Sequence, residues 1–430
     1  MRYIADIHLH SKYSRACSRN LDIAGNTNAG RIKGIQIIGT GDFTHPKWLQ
    51  ELKDNTIDLG NGLYKYAQSR GSDDPVFLLS QEISCIYSQG GRVRRNHIVI
   101  TAPSLAVVDA LADRLSTIGN LSADGRPILG MSSRDLAELV LNVSEDCLVI
   151  PAHIWTPWFS MFGSKSGFDS VRECFGDMTP YIYAFETGLS SNPTMNWRIP
   201  ELDNLTLISN GDAHSPANLG REATILELEE LSYKNIYNAL KDSKMRNMGA
   251  SLKNFVARTI EFYPEEGKYH YDGHLDCGVS MSPQETIRLK GVCPKCKKMA
   301  TVGVESRVES IATRTTKEAE DMKAQFTPFI SLVPLQEIIA EVYGQGKQTK
   351  KVLNAYSMIL KNSGLVELDI LMNTPLSDLD GFCSPELLEA IRRMRAGELY
   401  IEPGYDGKYG VVKIFSSEER AGKLVQSSLF

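Results

Sequence analysis

The sequence predicts an α/β protein whose first part is a (β/α) barrel, followed by a small zinc-binding module and a mainly helical C-terminal domain. Three observations predict this architecture. Short apolar runs alternate with helix-like stretches from residue 1 to about residue 260. Side chains able to bind metals stand at or beside the ends of these runs, where (β/α) barrels build their sites. Paired histidine and cysteine residues come next, and helical periodicity dominates the rest.

The bulk composition fits this division and excludes several classes of protein. A chain of 430 residues is too long for one ordinary core, so two or three domains are expected. The net charge of -5 places any nucleic-acid contact on local basic patches. Eight cysteines are too few for a disulfide scaffold, and no apolar run of about 18 residues predicts a membrane span. Since the N-terminus lacks a signal-peptide pattern, we expect a cytoplasmic protein. We also expect a monomer.

The first strand leads into a candidate metal site. Residues 3–10 read Tyr-Ile-Ala-Asp-Ile-His-Leu-His, a short buried strand that ends in His8 and His10. Residues two apart on a strand point to the same face, so the two imidazoles can converge on one ion. An isolated pair of this kind is more often structural, but the positions of the other histidines favour a metal site.

Each later strand of the barrel leads to another potential ligand. Six of the eight histidines lie in this segment, at strand ends or in the loop after one. The nine candidates are His8, His10, Asp42, His45, Glu82, His97, His153, Asp212 and His214. One ion takes four to six ligands, so two or three ions that share Glu82 fit better. Adjacent ions hydrolyse phosphate esters, and zinc, manganese or magnesium are the candidates. Mixed histidine and carboxylate ligands favour zinc, manganese or iron over magnesium.

Helical spacing fills the intervals between these strands. Residues 109–116 and 133–143 are examples, and Leu136, Leu139 and Val140 mark one apolar face of the latter. We therefore expect a barrel of parallel strands with its site at the mouth formed by their carboxyl ends.

Residues 264–315 carry a second metal-binding pattern. His274 and Cys277 form one pair, and Cys293 and Cys296 form another after 15 intervening residues. Two such pairs in a chain of this kind favour a structural zinc site over a redox pair. His270 competes with His274 for the fourth ligand position.

Residues 316–430 are predicted to be mainly helical. Helices are expected near residues 335–342, 347–361 and 385–395, the last with an exposed basic face of Arg392, Arg393 and Arg395. Residues 399–414 predict a hairpin with Asp406 and Gly407 at its turn. The absence of GxxxxGK[ST] argues against a P-loop ATPase.

Basic and aromatic residues near these motifs suggest a nucleic-acid contact. Arg92, Arg94 and Arg95 precede His97, and we favour a phosphate clamp over a merely solvated loop. Lys295 and Lys297 make the zinc module basic. Trp155 and Trp158 follow His153 and precede the sequence GSKSG at 163–167. An aromatic cluster is more often core, but here it could form a base-stacking lid and a lesion pocket.

The ordered motifs resemble the PHP (polymerase and histidinol phosphatase) superfamily of metallo-phosphoesterases. The resemblance rests on DIHLH, GTGDFTHP, Glu82, His97, His153 and GDAH, over about the first half of the chain. It implies a PHP-type distorted (β/α) barrel. One departure is that many members read Thr-Asp-His after the second strand, whereas Thr40 is followed here by Gly41, Asp42 and Phe43. Either Asp42 or His45 can fill that ligand position.

The order of parts, together with GTGDFTHP and the terminal PGYDGKYG, resembles the endonuclease Q family over essentially the whole chain. The division would be a barrel at 1–263, a zinc module at 264–315 and a helical domain at 316–430. The resemblance implies a DNA repair enzyme that nicks the strand 5′ to uracil, hypoxanthine, xanthine or an abasic site, with the base flipped into a pocket. Asp212, Glu82 and His214 are its expected catalytic residues, and damaged DNA is its expected partner. The sliding clamp is a further candidate partner.

Two other functions remain open from the sequence. A small-molecule phosphatase of the histidinol-phosphate type would use the same metals but has little need for a zinc module or a basic helical domain. A non-catalytic DNA-binding protein is disfavoured because the ligand set is nearly intact.

Overall fold

The protein is described by a computed structural model over residues 1–71, 73–246, 250–416 and 418–419. It confirms the mixed α/β class, with the sheet in the first part and most of the later helices in the last. The strands are β1 (Arg2–Asp6), β2 (Ile37–Gly39), β3 (Thr56–Asp58), β4 (Tyr64–Tyr66), β5 (Val76–Gln89), β6 (Arg92–Ala102), β7 (Ile128–Leu129), β8 (Leu148–Pro151), β9 (Ala184–Glu186), β10 (Thr206–Ile208), β11 (Ala223–Glu227), β12 (Phe255–Glu261), β13 (Asp272–His274), β14 (Val279–Met281), β15 (Phe329–Ser331), β16 (Tyr400–Glu402) and β17 (Val411–Lys413).

The α-helices lie between and after these strands. They are α1 (Ile23–Lys33), α2 (Pro46–Asn55), α3 (Leu105–Ser116), α4 (Ser133–Val143), α5 (Val171–Phe175), α6 (Pro193–Asn196), α7 (Tyr233–Arg246), α8 (Pro283–Arg288), α9 (Val304–Ile311), α10 (Thr316–Asp321), α11 (Leu335–Tyr343), α12 (Lys350–Ser363), α13 (Glu367–Met372), α14 (Leu376–Leu379) and α15 (Pro385–Ala396). Helix α4 has the predicted bounds because Ser132 caps its first turn and its apolar face is buried.

The barrel strands surround one mouth but do not all run in the same direction. Strands β1, β2 and β5 are parallel neighbours, whereas β6 is antiparallel to both β5 and β8. Strands β9 and β10 pair with each other, and the backbone N–H of Ile7 donates to Asn210 Oδ1 and links the end of β10 to β1. The expectation of a wholly parallel barrel is therefore wrong for β6. Its reversal brings its N-terminal half, with His97, to the mouth formed by the carboxyl ends of the parallel strands.

The β5–β6 hairpin explains that reversal. Strand β5 stays buried and paired with β6 well past Gln81, where the sequence predicted its end. A turn at Gly90 and Gly91 joins the two strands. Both glycines adopt positive φ angles of 61° and 72°, which a two-residue hairpin turn requires. Glu82 therefore lies within a long buried strand.

The later part of the chain returns to the barrel sheet. Strand β15 pairs in parallel with β12, so residues 329–331 extend the sheet within the stretch predicted as a helical domain. Strands β16 and β17 form the predicted antiparallel hairpin. Gly404 donates to Glu265 and Gly407 to Lys268, which docks this hairpin on the start of the zinc module. Residues 420–430 lie outside the described residues, and the two boundaries between the three domains stay predictions.

The last helix does not present the predicted basic face. Arg395 donates to backbone carbonyls of residues 370, 371 and 374, and Arg392 and Arg393 form ion pairs with glutamates. Most of this positive charge is therefore neutralised within the domain. Within the described residues, no helix is both long enough and apolar enough to cross a bilayer.

Candidate metal centre and cavity at the barrel mouth

Two groups of metal-competent side chains meet at the barrel mouth. The first ligand group consists of His8, His10, Glu82 and Asp212, and the second of Glu82, His97 and His153. Within each group, one potential ligand atom per residue lies within 4.8 Å of all the others. Glu82 belongs to both groups, as the sequence predicted for a shared carboxylate.

The two oxygens of Glu82 divide between their neighbours. Oε1 lies 2.7 Å from Nδ1 of His97 and 3.1 Å from Nε2 of His153. Oε2 lies 3.3 Å from Nε2 of His10. A carboxylate in this position can bridge two adjacent ions.

The first ligand group closes around Oδ1 of Asp212. That oxygen lies 3.2 Å from Nε2 of His10 and 3.7 Å from Nε2 of His8. All three atoms are buried and make no hydrogen bond of good geometry. Buried nitrogens and oxygens that converge without partners are costly unless an ion satisfies them. The donor set therefore fits a divalent ion.

The buried carboxylates favour a positive charge at His8, and burial keeps His97 neutral. Burial alone would lower the pKa of His8, but the carboxylates of Glu186 and Glu82 outweigh it and raise this pKa well above its usual value. Burial would raise the pKa of Glu82, but His97, Arg126 and His8 hold it well below its usual range. The pKa of His97 is lowered to about 4 by burial, which keeps its imidazole neutral as a ligand must be.

Buried carboxylates orient the two histidines of the first ligand group through their Nδ1 atoms. Nδ1 of His8 lies 2.8 Å from Oε2 of Glu186, and Nδ1 of His10 lies 3.1 Å from Oδ1 of Asp42. Such partners fix the imidazole tautomer and leave Nε2 for the ion. Glu186 stands at the end of β9, and its position at a strand end was visible in the sequence, but it was not assigned to the site.

Asp42 and His45 lie outside both ligand groups. Oδ2 of Asp42 accepts from the backbone N–H and hydroxyl of Ser11 and from the hydroxyl of Ser14. His45 caps helix α2, with Nδ1 accepting from the backbone N–H of Trp48. The geometry thus makes Asp42 a support for His10 and gives His45 a structural position. Neither of the two residues predicted for this ligand position occupies it here.

His214 lies beside the first ligand group but is not one of its members. Its Nδ1 lies 2.8 Å from the backbone oxygen of Asp212, and since a carbonyl can only accept, Nδ1 carries the proton. Its ring packs edge-on against His10 with centroids 4.6 Å apart.

The backbone is strained at two of the ligands and at Asp42, which supports His10. Asp42, His153 and Asp212 all have positive φ angles, between 29° and 49°. Non-glycine residues adopt this region at a cost, and such strain clusters at functional sites.

A cavity of about 350 Å³ opens directly above the ligand groups. Its floor includes His97, His153 and Asp212, and its walls come from the loop after β8 and from the start of the zinc module. The wall residues include Trp158, Phe159, Lys268, Tyr269 and His270. We call this space the mouth cavity.

The two tryptophans predicted to form a lesion pocket have different environments. Trp158 is half-buried at the cavity wall, with its ring 5.3 Å from that of Tyr269. Trp155 is fully buried, donates to Oδ1 of Asn196 and packs on Phe162. Trp155 therefore belongs to the core, and placing it in the pocket was wrong. The following GSKSG loop is packed, with only Lys165 exposed.

The basic residues predicted to contact DNA differ in how far their side chains are exposed or engaged by the protein itself. Arg94 donates to the backbone oxygen of Gly167 and stacks over Phe168, so it supports the loop after β8. Arg92 is exposed, and Arg95 lies 5.7 Å from the ring of Phe159. Lys295 and Lys297 are exposed and contact backbone oxygens of the zinc module.

The third group of potential ligands is the predicted zinc site. His274, Cys277, Cys293 and Cys296 converge, with Nε2 of His274 3.9 Å from Sγ of Cys296. Hydrogen bonds from the backbone of Cys296 and Lys295 lower the pKa of the Cys293 thiol. One nitrogen and three sulfurs suit tetrahedral zinc. His270 instead lines the mouth cavity, with Nε2 3.6 Å from Glu305.

Comparisons with known proteins match different extents of the chain. Residues 334–398 match the family model of the MJ0043 C-terminal domain. The uncharacterized protein MJ0043 of Methanocaldococcus jannaschii is 31% identical over 260 residues, which are 60% of this chain and only 31% of that longer protein. The uncharacterized protein YqxK of Bacillus subtilis is 26% identical, covering 95% of this chain and 98% of YqxK.

Two solved structures match almost the whole chain. The lesion-specific endonuclease PfuEndoQ from Pyrococcus furiosus has a TM-score of 0.82 and 27% identity, covering 98% of this chain and 99% of that chain. A complex of endonuclease Q with a 27-mer duplex substrate that has an abasic lesion at the active site has a TM-score of 0.81 and 27% identity, covering 97% of this chain and 98% of that chain.

The fold places two groups of metal-competent side chains at the mouth of a mixed α/β barrel. The chain as a whole resembles endonuclease Q across nearly its full length.

Proposed function

We propose that this protein is a DNA repair endonuclease that nicks one strand 5′ to a deaminated base or an abasic site. The observation that carries the proposal is the likeness to endonuclease Q, which extends through barrel, zinc module and helical domain alike. A small-molecule phosphatase would need the barrel alone. The proposed lesions are uracil, hypoxanthine, xanthine and the abasic site.

The proposed metal sites follow from the two ligand groups. His8, His10, Asp212 and Glu82 would hold one ion, and Glu82, His97 and His153 would hold a second. When bound, such ions lower the pKa of water and neutralise charge on the phosphate. Zinc, manganese and magnesium are the candidates. The zinc module would hold one structural zinc.

The chain's own residues would prepare the attack. Glu186 and Asp42 hold the first two histidines in the orientation that presents Nε2. His214 donates Nδ1–H to the carbonyl of Asp212, which leaves the lone pair of Nε2 either to ligate an ion or to accept a proton from the attacking water. In-line attack by water would leave a 3′-hydroxyl and a 5′-phosphate.

The mouth cavity supports base flipping. An enzyme cannot inspect a base edge inside the stack, so it must extrude the target nucleotide. The cavity lies above the ligand groups, and Trp158, Phe159 and Tyr269 offer aromatic faces for a base. The start of the zinc module forms one wall, so that module would take part in lesion recognition.

DNA contacts outside the cavity are proposed for three exposed cations and for the half-buried Arg95. Arg92 and Arg95 lie on the β5–β6 hairpin near His97, and Lys295 and Lys297 extend from the zinc module. Their charges can bind backbone phosphates without reading sequence. Arg94 would contribute indirectly, because its guanidinium is engaged by the loop after β8.

A substrate panel tests this function. The protein is incubated with Mn²⁺ and duplexes that contain uracil, hypoxanthine, an abasic site or no lesion, and separately with histidinol phosphate. Nicking restricted to the damaged duplexes is expected. Phosphate release from histidinol phosphate without nicking would replace the proposal with the phosphatase function, and binding without either reaction would favour a non-catalytic DNA-binding protein.

A further inference from the structure

Arg126 is a charged residue of the mouth cavity that no motif of the sequence pointed to. It lies in the loop between α3 and β7, and its side chain is 27% exposed at the cavity wall. Nη1 donates to Oε2 of Glu82 at 3.0 Å. The guanidinium therefore touches the shared carboxylate on one edge while part of its surface faces the cavity.

The backbone next to Arg126 is held tightly in place. The backbone N–H of Gly125 donates to Tyr13 at 3.1 Å, and its carbonyl accepts from Nε2 of Gln81 at 2.8 Å. A Cβ atom on Gly125 would lie 2.2 Å from Oδ2 of Asp42, so a larger residue does not fit. The loop thus anchors Arg126 to Gln81, the neighbour of Glu82, and to the residues that support His10.

A guanidinium in this position suits an anion that lies over the ligand groups. Only one of its five N–H donors is used by Glu82, and its planar fork matches two oxygens of a phosphate. The charge of Glu82 would be neutralised by the bound ions, which leaves the positive charge of Arg126 available to substrate. A group that served only to hold Glu82 has no need to reach the cavity.

We propose that Arg126 is a catalytic residue that donates to a non-bridging oxygen of the scissile phosphate and stabilises the negative charge that builds up there. This proposal rests on the proposed function and adds a substrate contact to it. A donor of this kind acts mainly in the transition state, so its removal lowers kcat more than DNA affinity.

The competing explanation is that Arg126 only positions Glu82. The variant Arg126→Gln separates the two, because an amide can still donate to Glu82 but carries no charge. Arg126→Lys keeps the charge without the planar fork. The matched control is Arg15→Ala, since Arg15 lies near Asp124 of the same loop but its side chain is 87% exposed.

The experiment measures single-turnover nicking, DNA binding without added metal, and bound metal for all variants. For Arg126→Gln we expect a rate lowered about 100- to 1,000-fold, DNA affinity within about threefold, unchanged metal content, and partial rescue by free guanidinium. Arg126→Lys should recover little of the rate, and Arg15→Ala should match the wild type.

The phosphate contact itself is tested with phosphorothioate diastereomers at the scissile position. Replacing the contacted oxygen by sulfur should shrink the effect of Arg126→Gln to less than about tenfold for one diastereomer only. An equal effect on both diastereomers and the normal phosphate, or a loss of metal that parallels the loss of rate, would overturn the proposal and leave Arg126 as a positioning residue.

Failure of the proposed function would be seen separately, in the wild-type protein. If the wild type cleaves no damaged DNA, the ratio of wild type to Arg126→Gln is measured on bis(4-nitrophenyl) phosphate with Mn²⁺. A large ratio would retain Arg126 as the phosphate contact of a different phosphodiesterase, and a ratio near one would reject it.

Discussion

Oε2 of Glu186 lies 2.8 Å from Nδ1 of His8, with both side chains buried beneath the barrel mouth. The same oxygen accepts the backbone N–H of His153 at 3.2 Å. One carboxylate therefore positions a member of each ligand group, and Asn210 holds its second oxygen. The positions of both proposed ions therefore depend on the carboxylate of Glu186.

Replacing Glu186 by Gln should weaken metal binding about 10- to 100-fold, because an amide is a poorer partner for the imidazole that it orients. Metal titration of the metal-free protein, followed by activity, measures the effect. Glu145→Gln changes an exposed glutamate and should leave the affinity unchanged. Wild-type affinity in Glu186→Gln would show that His8 needs no support from this carboxylate.

The double variant Cys293→Ser/Cys296→Ser should lose one zinc per chain and fold less stably, because zinc binding and local folding are coupled. Elemental analysis with thermal denaturation measures both. Cys383→Ser, which alters a buried cysteine outside the module, is the control for zinc content. An unchanged zinc content in the double variant would refute the assignment.

The two tryptophans should respond differently to truncation. Trp158→Ala should reduce nicking at uracil and hypoxanthine more than at an abasic site, which has no base to stack. Trp155→Ala should instead lower the free energy of unfolding by about 3–5 kcal/mol, because it empties a buried site. Rates on each lesion and denaturant unfolding measure these effects. Equal losses of Trp158→Ala on every lesion would remove it from base recognition.

Glu261 should make the protein less stable as the pH rises. Burial raises its pKa to about 7 and outweighs the hydroxyl of Ser209, which donates to Oε2 at 3.2 Å. Below the unfolded pKa of 4.5 the group is protonated in both states, so its stability contribution is fully present there. Between pH 4.5 and 7 only the unfolded state ionises, and stability falls.

Glu261→Gln should therefore leave stability nearly unchanged at pH 4.5 and increase it at pH 8, by up to about 3 kcal/mol. Urea unfolding at both pH values measures the difference, with Glu145→Gln as the exposed control. A gain of the same size at both pH values would contradict ionisation as the cause.

The strand ends and most ligands could be predicted from the sequence because apolar runs and His-x-His spacing are local patterns. His97 precedes its apolar run, and only the reversed direction of β6 explains why it still reaches the mouth. Helix α4 and the terminal hairpin were predicted for the same local reason, with Ser132 as the cap of the helix.

The residues that sequence reasoning missed depend on tertiary contacts. Arg126 lies in a loop with no motif, and the hydrogen bonds of Gly125 to Gln81 and Tyr13 hold it beside Glu82. The choice between Asp42 and His45 was undecided because spacing cannot show that Ser11 and Ser14 occupy one oxygen of Asp42. Trp155 and Trp158 lie close in sequence, and only packing separates core from cavity wall.

We propose that the ligands joined by Glu82 hold the ions that cleave damaged DNA. The most direct measurement maps the termini produced from an end-labelled duplex with a single uracil, using the wild type and Asp212→Ala with Mn²⁺. We predict one nick 5′ to the uracil with a 3′-hydroxyl and a 5′-phosphate, and no nick with Asp212→Ala, which still binds the duplex. Cleavage by Asp212→Ala at near the wild-type rate, or no nick by the metal-loaded wild type, would contradict the account.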